Sequence, residues 1–138
     1  MSLKRFLPNG CTYRGCDLVR RDKDTIVCNF NAGEFPTQAV AESDIVVMLG
    51  VLEYVVDLES FFTHLRHCKL DVLLSYCATD FSGGRDRAAL GWINHLSFYD
   101  LALLFDRYGF RIECTAPVDG VQQMIRLTPV ERLSAVAP

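Results

Sequence analysis

The chain has no long apolar run, no dense basic block and no signal-peptide core. None of its 138 residues lies in an apolar stretch long enough to cross a bilayer. Its densest basic group is Arg20, Arg21 and Lys23, and the formal net charge is −3. This charge balance argues against nucleic acid as the main partner. We therefore expect a cytoplasmic protein that acts on neither a membrane nor nucleic acid.

Paired metal-binding motifs are also missing. The six cysteines form no C-x-x-C pair, and His64 and His67 on a predicted helix have no evident acidic partner, so we predict no metal site. Most of the cysteines lie in apolar, strand-like segments. We interpret them as small buried residues in a reducing compartment, rather than as disulfides or a nucleophile. They are Cys11, Cys16, Cys28, Cys68, Cys77 and Cys114.

Strand-like and helix-like segments alternate, and half of the residues are hydrophobic. This pattern predicts one α/β domain over residues 1–138, with a loosely ordered tail at 128–138. A short turn at Asp119-Gly120 joins the last two strands, so we expect that pair to be antiparallel. The predicted strands cover 11–17, 25–30, 44–49, 72–76, 110–115 and 121–127, and a short helix covers 38–42.

Capping residues mark the starts of two longer helices. Asp57 precedes an apolar helical pattern, and Ser97 with Asp100 three residues later is close to a capping box. Gly109 is the expected end of the second helix. The polar segment 79–91 between them predicts an exposed loop. Its charges at 85–87 are interpreted as a solvated cluster, with contact to an anionic substrate as the alternative.

Three segments together resemble the later part of a known enzyme family. The first is the strand and turn at 44–57, D-I-V-V-M-L-G-V-L-E-Y-V-V-D, in which Tyr54 stands where the family commonly has histidine. The second is G-W-I-N-H-L-S at 91–97, leading into a helix that ends at Tyr108-Gly109-Phe110. The third is the closing strand pair. Together they are similar to class I, Rossmann-like S-adenosylmethionine-dependent methyltransferases, of the type 11/12-like kind.

This resemblance implies a fold, a cofactor and an activity. The fold is a three-layer α/β sandwich whose mostly parallel sheet has the strand order 3-2-1-4-5-7-6. The cofactor is S-adenosylmethionine, and the activity is methyl transfer to a small-molecule acceptor. Such transfer needs mainly positioning, because the sulfonium carbon is already electrophilic. A strong catalytic base is therefore not required.

The resemblance also assigns cofactor-binding positions. Asp17 ends the family's second strand and would bind the ribose hydroxyls; the alternative is an ordinary polar residue at a strand end. Asn29 and Phe30 follow the third strand, where a polar group and a ring would hold adenine, although Asn29 is also a common turn former. Leu49, Gly50 and Glu53 would line the cofactor side after the fourth strand, with a solvated loop acid as the alternative for Glu53.

The resemblance also implies which residues lie near the methyl acceptor, and they belong to the segment 91–97 before the second capped helix. Trp92 and Asn94 would lie near the methyl acceptor. His95 is a candidate general base, since histidine titrates near neutrality. The alternative interpretation of His95 is a loop histidine with no catalytic role.

The family's first strand and its glycine-rich cofactor loop are missing from the sequence. That strand lies between the second and the fourth, so its loss leaves two unpaired edges. Three outcomes are open: the flanking strands pair directly, two chains form a homodimer across the gap, or the chain is part of a longer natural protein.

The missing loop leaves the function open as well. One alternative is a non-catalytic, methyltransferase-like binding or dimerisation module. Another is a different Rossmann nucleotide-binding protein, such as a dehydrogenase, although its phosphate loop is missing too.

Overall fold

A computed structural model of the chain describes residues 3–130. Within these residues, short strands and helices alternate, and 3-10 helices cover Leu3–Phe6, Phe30–Ala32 and Leu52–Tyr54. In chain order the strands and α-helices are β1 (Cys16–Asp17), β2 (Ile26–Val27), α1 (Thr37–Ala41), β3 (Ile45–Leu49), α2 (Leu58–Cys68), β4 (Asp71–Tyr76), α3 (Phe98–Arg107), β5 (Phe110–Pro117) and β6 (Gln123–Pro129). No helix in this part of the chain is long and apolar enough to span a bilayer. The cytoplasmic location stays a prediction.

The strands form two separate sheets. One has four strands in the order β3-β4-β6-β5, and the other is the pair β1-β2. The β1-β2 and β3-β4 pairs are parallel, whereas β6 runs antiparallel to both β4 and β5. This confirms the α/β, Rossmann-like fold class and its antiparallel final pair. Within each of the two sheets, the strands follow the order that the resemblance implied.

Within residues 3–130, no strand lies between β1 and β3. The two strands are not paired with each other, so direct pairing across the gap is not the outcome that the structure shows. β3 is hydrogen-bonded to β4 along one edge, and its Ile45 and Leu49 are 46% and 45% exposed. Such an edge leaves backbone N–H and C=O groups to water or to another chain.

The hydrophobic core lies between one face of the larger sheet and helices α2 and α3. Because strand side chains alternate between faces, Met48, Leu74 and Ile125 point to the same side, in register across three strands. Phe62 of α2 and Phe105 of α3 cover this face, and all five residues belong to one buried cluster. The rings of Phe62 and Phe105 are tilted by 54° to each other, with centroids 5.6 Å apart. This core fixes the carboxyl ends of β3 and β4, where the site lies.

Local signals placed the helix ends correctly. Asp57 Oδ1 accepts a hydrogen bond from the Ser60 N–H at 2.9 Å, and Ser97 with Asp100 forms a complete capping box. Gly109 follows α3 with a φ of +74°, a conformation that favours glycine. These three predictions are confirmed.

Several predicted boundaries differ from the structure. β1 and β2 pair over only two residues each, since neither has a second neighbour, and Phe30 already belongs to a 3-10 helix. At the other end, Thr128 and Pro129 pair with β5 and extend β6 into the predicted tail. Residues 131–138 of that tail lie outside the described part of the chain.

The prediction that the cysteines are buried is correct for only part of the set. Cys28 and Cys77 are buried, and Cys68 is half-buried. Cys11, Cys16 and Cys114 are exposed, so the prediction is wrong for them. Cys11 lies outside any strand, and Cys114 lies on β5, which pairs on one side only.

Candidate functional site

An open cleft of about 500 Å³ lies where the carboxyl ends of β1, β2 and β3 approach one another. In open α/β sheets, this end of the strands is where ligands bind. Four of the six residues that the resemblance placed at the cofactor line this cleft. They are Asp17, Asn29, Phe30 and Gly50.

Asp17 presents an ionised carboxylate at the end of β1. Its Oδ2 accepts a hydrogen bond from Arg21 Nε at 2.8 Å, and its Oδ1 accepts one from the Val19 N–H at 3.1 Å. The hydrogen bond from Arg21 is the main cause of a lowered pKa of Asp17, with the Val19 N–H contributing next. A carboxylate has about four acceptor positions, so two remain for hydroxyl donors from the cleft.

Asn29 and Phe30 lie after β2 and line the cleft together with Gly50. Asn29 Oδ1 accepts from the Asn31 N–H at 3.0 Å and caps the short 3-10 helix. The ring of Phe30 packs edge-on against Phe61 of α2, with centroids 5.0 Å apart. Asn29 therefore has both a turn-forming role and a place in the cleft.

Asn31 joins the small sheet to the large one, a role that the sequence analysis missed. Its Nδ2 donates to the Tyr54 carbonyl at 2.9 Å, and its Oδ1 accepts from the Val56 N–H at 2.9 Å. Because a two-stranded sheet is marginal on its own, this two-way contact helps to hold β1-β2 against the segment after β3. An asparagine within a polar loop gives no sequence signal for such a contact.

Asn31→Ala is expected to lower the free energy of unfolding by about 1 kcal/mol, because two exposed hydrogen bonds are lost. Asn31→Asp keeps the acceptor for Val56 and is expected to lose less. Urea unfolding followed by circular dichroism measures both. Asn9→Ala, at an exposed turn, is the control. Equal urea midpoints for the Asn31→Ala and Asn9→Ala variants would show that Asn31 does not hold the two sheets together.

Gly50 turns the chain at the carboxyl end of β3. It has a φ of +63°, which a residue with a side chain adopts only with strain. Its N–H donates to Ser75 Oγ at 3.0 Å, and Ser75 Oγ also accepts from Gln122 Nε2 at 2.8 Å. The turn is therefore tied to β4 and to the loop before β6, and it places the following segment at the edge of the cleft.

Leu49 and Glu53 do not line the cleft. Leu49 is exposed on β3, and Glu53 is 1% exposed and turned into the protein. Glu53 Oε1 accepts from the Cys77 N–H at 2.9 Å, whereas Oε2 has no hydrogen-bond partner among the described residues. Burial raises the pKa of Glu53, and the Cys77 N–H and the charge of Arg87 oppose the rise. The interpretation of Glu53 as a solvated acid is therefore wrong.

Glu53→Gln is expected to flatten the pH dependence of stability. A carboxyl with a raised pKa in the folded state favours folding below its ordinary pKa, and this contribution is lost as the pH rises through the raised value. The wild-type Tm should therefore fall by about 2–4 °C more than that of Glu53→Gln between pH 5 and pH 8. Thermal unfolding at both pH values measures this difference. Parallel pH profiles of wild type, Glu53→Gln and the exposed control Glu59→Gln would contradict it.

Two thiols lie beside Asp17 in the cleft wall. Burial, followed by the neighbouring Cys28, raises the pKa of Cys16 to about 12. Burial is also the largest cause of a raised pKa of Cys28. Thiols with raised pKa values carry little thiolate at neutral pH and are poor nucleophiles. The cysteines in the cleft therefore act as wall residues rather than as reactive groups.

Aromatic side chains form the rim of the cleft beyond Gly50. Tyr54 lines the cleft and is 47% exposed. Trp92 lies next to it, with Nε1 donating to Tyr54 Oη at 3.3 Å. Trp92 does not line the cleft itself and reaches its rim through this contact with Tyr54.

Asn94 and His95 are placed differently from Trp92. Asn94 Nδ2 donates to the Leu52 carbonyl at 2.5 Å, and its Oδ1 accepts from the Tyr76 hydroxyl. Its polar groups are therefore directed to the protein. His95 is exposed and does not line the cleft, which favours its interpretation as a loop histidine.

The sequence analysis predicted that the whole segment 79–91 is exposed, and this is wrong for part of it. Arg85 and Asp86 are exposed, but Ser82 and Arg87 are buried at 4% and 7% exposure. Arg87 is enclosed because its guanidinium donates to the protein backbone and lies over the Trp92 ring. Because residues 85–87 are all charged and lie in a polar segment, the sequence does not indicate which of them is buried.

No protein-family model and no curated protein matches the chain. Solved structures do match. NcsB1, an O-methyltransferase from neocarzinostatin biosynthesis, superimposes with a TM-score of 0.56 at 20% identity, over 78% of this chain and 33% of that one. CalO1, a methyltransferase in calicheamicin biosynthesis, gives 0.54 at 15% identity, over 77% and 34%. The fold is that of S-adenosylmethionine-dependent methyltransferases.

A third match is RosA from Streptomyces davawensis, a dimethyltransferase of 8-amino-8-demethyl-D-riboflavin, with a TM-score of 0.51 at 20% identity, over 63% of this chain and 30% of that one. The chain spans about a third of the length of these methyltransferases. NcsB1 is crystallised with S-adenosylmethionine, and CalO1 with S-adenosylhomocysteine. The type 11/12-like assignment within the methyltransferase fold stays a prediction.

Proposed function

We propose that the cleft binds S-adenosylmethionine through its adenosine half, and that the function is methyl transfer to a small-molecule acceptor. The observation that carries this proposal is the meeting of Asp17, Asn29 and Phe30 in one cleft at the carboxyl ends of β1 and β2. The methyltransferase fold supports it. When bound, the cofactor supplies an electrophilic methyl group, and the protein supplies the positioning.

Asp17 binds the ribose in this proposal. Its carboxylate is ionised at neutral pH, as that of an ordinary aspartate is, and the hydrogen bond from Arg21 lowers its pKa further. An ionised carboxylate accepts two hydrogen bonds from a cis-diol, one on each oxygen. Asn29 offers a side-chain amide to the adenine edge, and the Phe30 ring offers an apolar surface to its plane.

The methionine half of the cofactor has fewer matching groups. Among the described residues that line the cleft, the only glycine is Gly50, and it leads into a short 3-10 helix. A helix of that length does not present the row of free N–H groups that binds a carboxylate. The side chains of the described cleft therefore favour the adenosine moiety over the amino-acid moiety.

The rim residues Tyr54 and Trp92 favour a flat acceptor. Tyr54 is 47% exposed, and its hydroxyl accepts from the indole N–H of Trp92, so two neighbouring aromatic side chains are available to an aromatic molecule. NcsB1 is crystallised with 2-hydroxy-5-methyl naphthoic acid, and RosA acts on a riboflavin derivative. We propose an aromatic small molecule as the acceptor class.

Isothermal titration calorimetry of the full chain tests the cofactor proposal. S-adenosylmethionine, S-adenosylhomocysteine and adenosine are titrated separately. We expect saturable binding of all three with dissociation constants of about 10–100 μM, and adenosine within about threefold of S-adenosylhomocysteine. Absence of binding by all three contradicts the proposal. Tight binding of S-adenosylhomocysteine without measurable binding of adenosine contradicts its adenosine part.

A second candidate function is a non-catalytic dimerisation module. The open edge of β3 favours it, because the residues Ile-Val-Val-Met-Leu at 45–49 carry no charge and no proline. Proteins usually protect such edges with charged residues, bulges or covering elements. In this proposal a second copy of the chain pairs across the gap between β1 and β3.

A further inference from the structure

Arg87 is a buried cation within a mostly exposed segment. Its guanidinium donates from Nη1 to the Cys77 carbonyl at 2.5 Å, and from Nη2 to the Asn94 carbonyl at 3.0 Å and to Tyr76 Oη at 3.2 Å. Within residues 3–130 it forms no ion pair with a carboxylate. Burial of a charge is costly unless its donors are satisfied, so these neutral acceptors must hold it in place.

The acceptors of Arg87 belong to two separate parts of the chain. Tyr76 and Cys77 lie at the carboxyl end of β4, whereas Asn94 lies in the segment that leads to α3. The Leu96 N–H also donates to Tyr76 Oη, at 3.2 Å. Arg87 therefore links the segment that leads to α3, at Asn94, to the end of β4.

Arg87 also fixes the position of Trp92. The guanidinium carbon lies 4.7 Å from the centre of the Trp92 ring. The backbone N–H of Trp92 also donates to the backbone carbonyl of Arg87 at 2.9 Å. A cation over an indole face is an attractive contact that strengthens when water is excluded. Through its indole Nε1, Trp92 also donates to Tyr54 Oη at the rim of the cleft. A continuous set of contacts thus runs from the end of β4 to the rim.

We propose that Arg87 is a positioning residue that holds Trp92 against Tyr54 on the acceptor side of the cleft. This assignment rests on the proposed function for the identity of that side. Arg87 does not line the cleft itself and acts through Trp92. The planar guanidinium of arginine donates hydrogen bonds in several directions and leaves its face for the indole ring. The ammonium of lysine keeps the charge but not this planar arrangement of donors.

Trp92 is the only tryptophan of the chain, so tryptophan fluorescence reports on the surroundings of this residue. Arg87→Met is expected to raise the acrylamide quenching constant of Trp92 by at least about twofold, because the ring loses the guanidinium that lies over it. Arg87→Lys is expected to give an intermediate value. Arg85→Met is the matched control, since Arg85 is an exposed arginine of the same segment. Far-UV circular dichroism checks that each variant is folded.

Titration of the same variants with S-adenosylhomocysteine separates the positioning role from a general loss of structure. The positioning role predicts an unchanged dissociation constant in Arg87→Met, because the contacts of Arg87 are with Tyr76, Cys77, Trp92 and Asn94 and not with Asp17, Asn29 or Phe30. Equal quenching in Arg87→Met and Arg85→Met would overturn the proposal. So would a loss of S-adenosylhomocysteine affinity parallel to the rise in quenching. If Arg87→Met does not fold, Arg87→Lys and Tyr76→Phe decide by the same quenching measurement. If the wild type binds no S-adenosylhomocysteine, the proposed function fails, while the quenching comparison still decides the role of Arg87.

Discussion

Asp17→Ala is expected to weaken S-adenosylhomocysteine binding by about 10- to 100-fold. The variant removes two charge-assisted hydrogen bonds to the ribose, each contributing about 1.5–3 kcal/mol at most, and water replaces part of that. The loss of the Asp17–Arg21 ion pair has little effect on folding, because that pair lies at the surface and the Arg21 side chain is 69% exposed. Titration calorimetry measures the affinity, and thermal unfolding confirms the fold.

Two further variants sharpen this result. Asp17→Asn keeps the size of the side chain but replaces one acceptor oxygen with a donor, so we expect it to bind almost as weakly as Asp17→Ala. Asp24→Ala, in the exposed turn between β1 and β2, is the matched control and should leave binding unchanged. Equal affinities of Asp17→Ala and Asp24→Ala for S-adenosylhomocysteine would show that Asp17 does not bind the cofactor.

Ile45→Lys is expected to abolish self-association. If two copies pair through the open edge of β3, a lysine in that edge places like charges at the interface and disrupts strand addition. We expect the dimer dissociation constant to rise at least tenfold, which corresponds to about 1.4 kcal/mol. Sedimentation equilibrium over a range of protein concentrations measures it.

The control for the edge is an equally exposed apolar residue elsewhere. Leu103 on α3 is 49% exposed, compared with 46% for Ile45. Leu103→Lys should leave the dimer intact, because α3 lies away from the gap. A monomeric wild type at all concentrations, or an equal effect of both lysines, would contradict the dimerisation module and leave the cofactor proposal unaffected.

The sequence predicted the elements whose cause is local. The apolar run of β3, the cap at Asp57 and the capping box at Ser97 each lie within a few neighbouring residues, and all three are present. The antiparallel final pair followed from a short turn in the same way. These features depend on contacts between residues that are close in the chain, and a sequence pattern can therefore predict them.

The parts that the sequence did not predict depend on distant contacts. Asn31 bonds to residues 23 and 25 positions away, and the Glu53 carboxyl reaches an N–H 24 positions away. Arg87 is buried only because the end of β4 and Trp92 enclose it. Its immediate neighbours, Arg85 and Asp86, are exposed. Polar residues in loops have no periodicity, so their burial appears only in the folded chain.

The central claim is that the adenosine half of the cofactor lies at the carboxyl ends of β1 and β2. Two-dimensional NMR of the ¹⁵N-labelled chain, titrated with S-adenosylhomocysteine, tests it most directly. We predict saturable shifts of the backbone amides of residues 17–21 and 29–31 and of Gly50, with no shifts along β5. Unchanged spectra at saturating ligand, or shifts confined to other parts of the chain, would contradict the account.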